Sequence, residues 1–153
     1  MIICGIDPGA KGGLCFMESL TKEILYVCPM PMLEKELDYT KVSDLFWEYV
    51  PDKIIIEHVH AMPNQGVVSM FNFGRMYGGL KGIAHVYCVN NVVTARPKEW
   101  QKALFGLVKW DKSVGINFVK DRFPDTKIIL PRCRKEHDGI TDAICIAYYE
   151  ATK

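Results

Sequence analysis

Several absences narrow the reading of this chain. It has no C-x-x-C pair, no internal repeat and no low-complexity stretch, and no segment nears the ~20 uninterrupted apolar residues of a membrane span. Paired-cysteine motifs, repeat architectures and a membrane partner are set aside on those grounds. Histidine is scarce, at four residues, and the N-terminus MIICGID runs into an acidic turn unlike a secretory signal. The six cysteines (Cys4, Cys15, Cys28, Cys88, Cys133, Cys145) read as buried free thiols in a reducing compartment, four of them inside apolar runs. A cytoplasmic protein is expected. What the chain does have is 153 residues at 49% apolar composition, enough for one domain over 1–153 with a sizeable core.

Strong net charge is also missing, since the total is only +1, but the distribution is uneven. Residues 1–57 carry 5 basic and 10 acidic groups, net −5, whereas residues 96–135 carry 11 basic and 4 acidic groups, net +7. A near-neutral protein can thereby turn one basic face toward nucleic acid, although a solvated basic surface without a partner gives the same count.

Patterning predicts a strand at MIICGID, stopped by Pro8-Gly9, then a second at GGLCFME in a hairpin, and a third over 22–28 before Pro29 and Pro31 force a loop. Asp38 caps a helix over about 39–49. Ile54-Ile55-Ile56 reads as a strand buried on both faces and so interior to the sheet. Residues 58–66 are rich in turn formers, which leaves Glu57 at a strand-to-loop junction. A long helix spans 67–86, with Gly74, Gly78 and Gly82 at i, i+4, i+8. Each glycine costs ~1 kcal/mol relative to alanine, so the row implies close approach by another backbone, either the sheet or a second subunit. A strand at VNNVVTA and helices over 97–105, 112–123 and 138–151 complete the chain. Three consecutive strands followed by alternating helix and strand define an α/β fold with a mixed sheet flanked by helices.

Four acids stand out: Asp7 and Glu57 at strand ends, and Asp138 and Asp142 one helical turn apart. Each has an ordinary alternative: a turn initiator at Asp7, a strand-end charge at Glu57, an N-cap at Asp138. Asp142 is harder to dismiss, because it stands among apolar residues on a helix that must pack. Gathering them is costly, since two unit charges at 4 Å repel by about 4 kcal/mol at an effective dielectric of 20. A divalent cation resolves that cost. Hard oxygen donors without a matching His and Cys set favour Mg²⁺, with Mn²⁺ as substitute, and two such ions suit phosphodiester hydrolysis.

With Gly5-Ile6-Asp7-Pro8-Gly9, Ile54-Ile55-Ile56-Glu57, Phe73-Gly74-Arg75…Gly78…Gly82 and Asp138…Asp142-Ala143 in this order, the chain resembles the RuvC family of Holliday-junction resolvases, within the RNase H-like superfamily. The resemblance extends over nearly the whole chain. It implies an RNase H-like five-stranded mixed sheet and a homodimer that nicks four-way DNA junctions symmetrically, leaving 5′-phosphate and 3′-hydroxyl ends. It also implies a two-metal site on Asp7, Glu57, Asp138 and Asp142. Cellular members usually space the last two acids three apart, whereas here they are four apart, so His137 competes with Asp138 as ligand or proton carrier. The segment after Glu57 has its own version of the family pattern. Members encoded by phages or other mobile elements vary in this way, which fits such an origin.

Around this set, Phe71 and Phe73 are candidates to stack on exposed bases, with core packing as their alternative. Asn64 and Gln65 are candidate DNA contacts. Lys98, Lys102, Lys109, Lys112, Arg132 and Arg134 are candidate phosphate contacts, and Arg75 with the glycine row is a candidate dimer contact. Three readings compete. An actin-like ATPase would share a phosphate-binding hairpin with GIDPGAKGG, but the chain has material for one lobe and no nucleotide cofactor is expected. A noncatalytic junction-binding protein and a related nuclease acting on forks, flaps or RNA remain open.

Overall fold

The computed structural model describes residues 1–61 and 64–153; Met62 and Pro63, within the segment read as a loop, lie outside the described residues. Three antiparallel strands come first: β1 (Ile2–Asp7), β2 (Gly13–Glu18) and β3 (Ile24–Pro29). A small hairpin follows, β4 (Met32–Leu33) with β5 (Glu36–Leu37), where the prolines had implied only a loop. Pro29 closes β3 opposite Gly13 rather than breaking it. At a strand terminus a missing N–H costs little.

Then come α1 (Tyr39–Tyr49), β6 (Lys53–Glu57), α2 (Val67–Tyr87), β7 (Val92–Ala95), α3 (Pro97–Phe105), α4 (Lys112–Arg122) and α5 (Asp138–Ala151). The main sheet runs β3-β2-β1-β6-β7, antiparallel through β1 and parallel from β1 through β6 to β7. This is the expected mixed five-stranded sheet flanked by helices, with β6 interior and β1 in the middle.

Strand alternation sorts the core into two layers. Cys4, Ile6, Leu14, Phe16, Ile54 and Ile56 face α1 and α2, where Phe16 stacks on Tyr49 at 4.7 Å between ring centres. Ile3, Cys15, Met17 and Ile55 face the other side, against Trp100 of α3, Val119 of α4 and the apolar residues of α5. Helix α5 is buried along nearly its whole length. It lies so close to the sheet that a Cβ at Gly5 would sit 2.5 Å from the Ala143 carbonyl oxygen and 2.5 Å from the Ala147 nitrogen. At its first turn, a Cβ at Gly139 would sit 2.1 Å from the Lys11 carbonyl oxygen. Glycine at both positions lets the helix seat directly on the β1–β2 hairpin.

Five cysteines are buried free thiols; Cys133, expected to join them, is exposed on the loop before α5. Among the described residues no helix is long and apolar enough to cross a membrane.

Candidate metal centre

Parallel pairing of β1 with β6, through Ile6 opposite Ile56, brings Asp7 and Glu57 to the same end of adjacent strands. The close seating of α5 adds Asp142 from above. Burial raises all three carboxylates, and neighbouring acids add to the shift at Asp7 and Asp142. Burial, and then the charges of Glu57, Asp142 and Asp138, push Asp7 up to about 8, with Lys112 opposing. Burial, then Glu57 and Asp138, push Asp142 up to about 7, again opposed by Lys112. Glu57 is raised by burial and partly restored by the indole of Trp100, whose Nε1–H donates to its Oε1 at 2.9 Å.

Asp7, Asp138 and Asp142 line one cleft of about 550 Å³ with Lys112, Glu136 and His137. Glu57 is not on its wall. Asp138 opens α5 and is ion-paired to Lys112, which raises the lysine's pKa first by that hydrogen bond and then by the surrounding acids. The helix cap is His137, not Asp138: the imidazole Nδ1 accepts from the Ile140 N–H at 3.2 Å. That bond commits one ring nitrogen of His137 to structure and, in a neutral ring, leaves the proton on Nε2.

As the side chains stand, no group of three or more His, Cys, Asp or Glu among the described residues is arranged to hold a metal ion. Glu57 and Asp138 add their charge to the burial that raises Asp7 and Asp142, yet the carboxylates do not form a ready metal-holding group. Their chemistry nonetheless fits a divalent cation: hard oxygen donors, largely buried, with one exposed lysine as counter-charge.

The other candidates divide. Phe71 is 69% exposed, so core packing does not account for it. Phe73 packs against the core beneath α2, and a Cβ at Gly9 would lie 3.6 Å from its ring, beside the turn that follows Asp7. Asn64, in a left-handed conformation, and Gln65 are exposed just before α2. Lys98, Lys102 and Lys109 are exposed around α3 and the turn after it, and Arg132 and Arg134 are exposed on the loop before α5. Lys112, expected as a phosphate contact, is drawn into the acidic cluster. Arg75 donates to Glu36 at 2.7 Å.

The glycine row resolves one alternative. A Cβ at Gly74, Gly78 or Gly82 would meet nothing within 4 Å, so the sheet does not fill that ridge; α2 packs inward through Met76, Leu80 and Ala84. Trp100 and Glu136 were missed by sequence reasoning. No motif marks Trp100, although a tryptophan one turn into a helix that follows a sheet strand is placed to reach a neighbouring strand end.

A five-stranded mixed sheet with acids on two adjacent strand ends and on a covering helix is an RNase H-like architecture. More narrowly, the fold is that of the RuvC-type resolvases. Thermus thermophilus RuvC in complex with Holliday junction substrate aligns at a TM-score of 0.71 and 18% identity, over 99% of this chain and 93% of that one. The fowlpox virus Holliday junction resolvase aligns at 0.62 and 16% identity, over 99% of both chains. The yeast mitochondrial Holliday junction resolvase aligns at 0.56 and 14%, over 97% of this chain and 78% of that one. No family model and no curated protein matches the sequence.

Proposed function

We propose that this chain is a single nuclease domain that works as a homodimer and resolves four-way DNA junctions by paired, symmetric nicks, leaving 5′-phosphate and 3′-hydroxyl ends. The observation that carries the reading is the gathering of Asp7, Glu57 and Asp142, largely buried, at one end of a fold shared with resolvases. Buried acids that raise one another's pKa toward neutrality mark functional sites far more often than ordinary surfaces.

Asp7, Glu57 and Asp142 would be the donors for two Mg²⁺ ions, replaceable by Mn²⁺, and Asp138 or His137 would complete the set. When bound there, the ions supply activation of water and neutralisation of charge at the leaving oxygen. The chain's own residues do the rest. Trp100 holds one oxygen of Glu57 and leaves the other for ligation. Lys112, ion-paired to Asp138, offsets the acids and would be available to a backbone phosphate if a cation took over that role. His137 presents Nε2–H at the cleft wall as a donor to a phosphate oxygen. Phe71, exposed at the start of α2, is placed to stack on an unpaired base, which is worth ~1–3 kcal/mol. The open ridge of Gly74, Gly78 and Gly82 receives the second copy.

A second reading draws on the unconverged carboxylates: a junction-binding protein without catalysis. Incubating the protein with a four-way junction, a matched duplex and an RNA–DNA hybrid, with and without Mg²⁺, separates these. Selective, paired nicking of the junction is expected only with Mg²⁺. Equal cleavage of all three substrates removes the resolvase reading, and binding without cleavage selects the noncatalytic one.

A further inference from the structure

The turn between α3 and α4 carries an apolar tip that the core does not use. Leu107 is 98% exposed and Val108 61%. Gly106 enters the turn at φ 65, a left-handed conformation that glycine adopts without strain. The base beneath is packed: Trp110 meets Trp100 edge-on at 4.9 Å and Phe105 at 5.2 Å, while Asp111 caps α4 by accepting from the Ser113 and Val114 N–H groups.

Cations surround this tip. Lys98, Lys102, Leu107, Val108 and Trp110 line a groove of about 310 Å³, and the same two lysines continue into a second groove of about 520 Å³ that reaches His60 and the Arg96–Glu99 ion pair. Among the described residues no carboxylate forms an ion pair with Lys98, Lys102 or Lys109. Lysine is depleted at protein–protein interfaces, so an exposed leucine sharing its groove with Lys98 and Lys102 matches a polyanion better than another protein. Both flanking helices also reach the acids, α3 through Trp100 to Glu57 and α4 through Lys112 to Asp138.

We infer that this turn is a wedge for one duplex arm of the DNA: Lys98, Lys102 and Lys109 hold backbone phosphates, and Leu107 enters the minor groove and loosens a base step. Apolar side chains do this in proteins that bend DNA. The inference rests on the functional reading above and adds to it the element that grips an arm beside the site.

The test uses the full chain and a metal-free four-way junction carrying 2-aminopurine in one arm. Wild type should raise the fluorescence on binding. Leu107→Ser, at a site with no packing to lose, should abolish the rise and bind about tenfold more weakly. It should leave the slope of log Kd against log salt unchanged. Lys98→Ala with Lys102→Ala should lower that slope by about 2 and keep the fluorescence rise at saturation. A Leu107→Ser variant with wild-type affinity and fluorescence overturns the wedge. So does one with unchanged DNA binding and an altered sedimentation coefficient, which would assign the tip to a second copy. If wild type binds no junction, the functional reading itself falls, an outcome distinct from either.

Discussion

Replacing Asp7 with asparagine should stabilise the metal-free protein at alkaline pH while removing a proposed metal ligand. Asp7 sits at about 8 and Asp142 at about 7, both raised above their ordinary value of 3.8. The folded chain therefore keeps protons that the unfolded chain has already released. The associated stability is fully present below the unfolded carboxylate range and is lost as pH rises through about 7 and then about 8. A retained proton changes stability by about 1.4 kcal/mol per pH unit, so Asp7 alone costs wild type up to about 4 kcal/mol between pH 5 and pH 8. Its partial exposure brings this to on the order of 2 kcal/mol. Asparagine keeps the shape and cannot ionise. Urea unfolding in EDTA should find Asp7→Asn gaining about 2 kcal/mol on wild type between pH 5 and pH 8, with Mg²⁺ narrowing the gap by stabilising wild type. A variant less stable than wild type at pH 8 would refute the reasoning, because it would mean that burial and the neighbouring acids do not hold a proton on Asp7.

Two other substitutions test the supports of the site. Trp100→Phe keeps a buried ring but removes the donor to Glu57; it should slow single-turnover nicking about tenfold with junction affinity unchanged, and cost about 1 kcal/mol in urea unfolding. An unchanged rate would make that hydrogen bond purely structural. Gly78→Leu, with open space around its Cβ, should make the folded monomer about 1 kcal/mol more stable through helix propensity yet shift sedimentation to monomers. A persistent dimer would move the subunit contact elsewhere.

The five strands of the main sheet, its first hairpin and all five helices were legible because their signals are local: Asp38 and Asp111 cap where expected, Pro97 opens α3, and the Ile54–Ile56 run is interior. The β4–β5 hairpin was not, since two-residue strands have no period to read. Strand ends identified Asp7 and Glu57, and an acid in an apolar helix identified Asp142. What escaped depends on tertiary geometry. His137 rather than Asp138 caps α5 because Asp138 is already the first helical residue, and Lys112 faces Asp138 only once α4 and α5 pack. Trp100 reaches Glu57 across β7, a relation that no spacing encodes.

The most direct test of the central claim separates binding from cleavage at Asp7. Wild type and Asp7→Asn are titrated against a labelled four-way junction, and nicking is then followed in Mg²⁺. Equal affinity with nicking lost in the variant is the expected result. An Asp7→Asn protein that still nicks the junction would contradict a metal centre built on Asp7, Glu57 and Asp142.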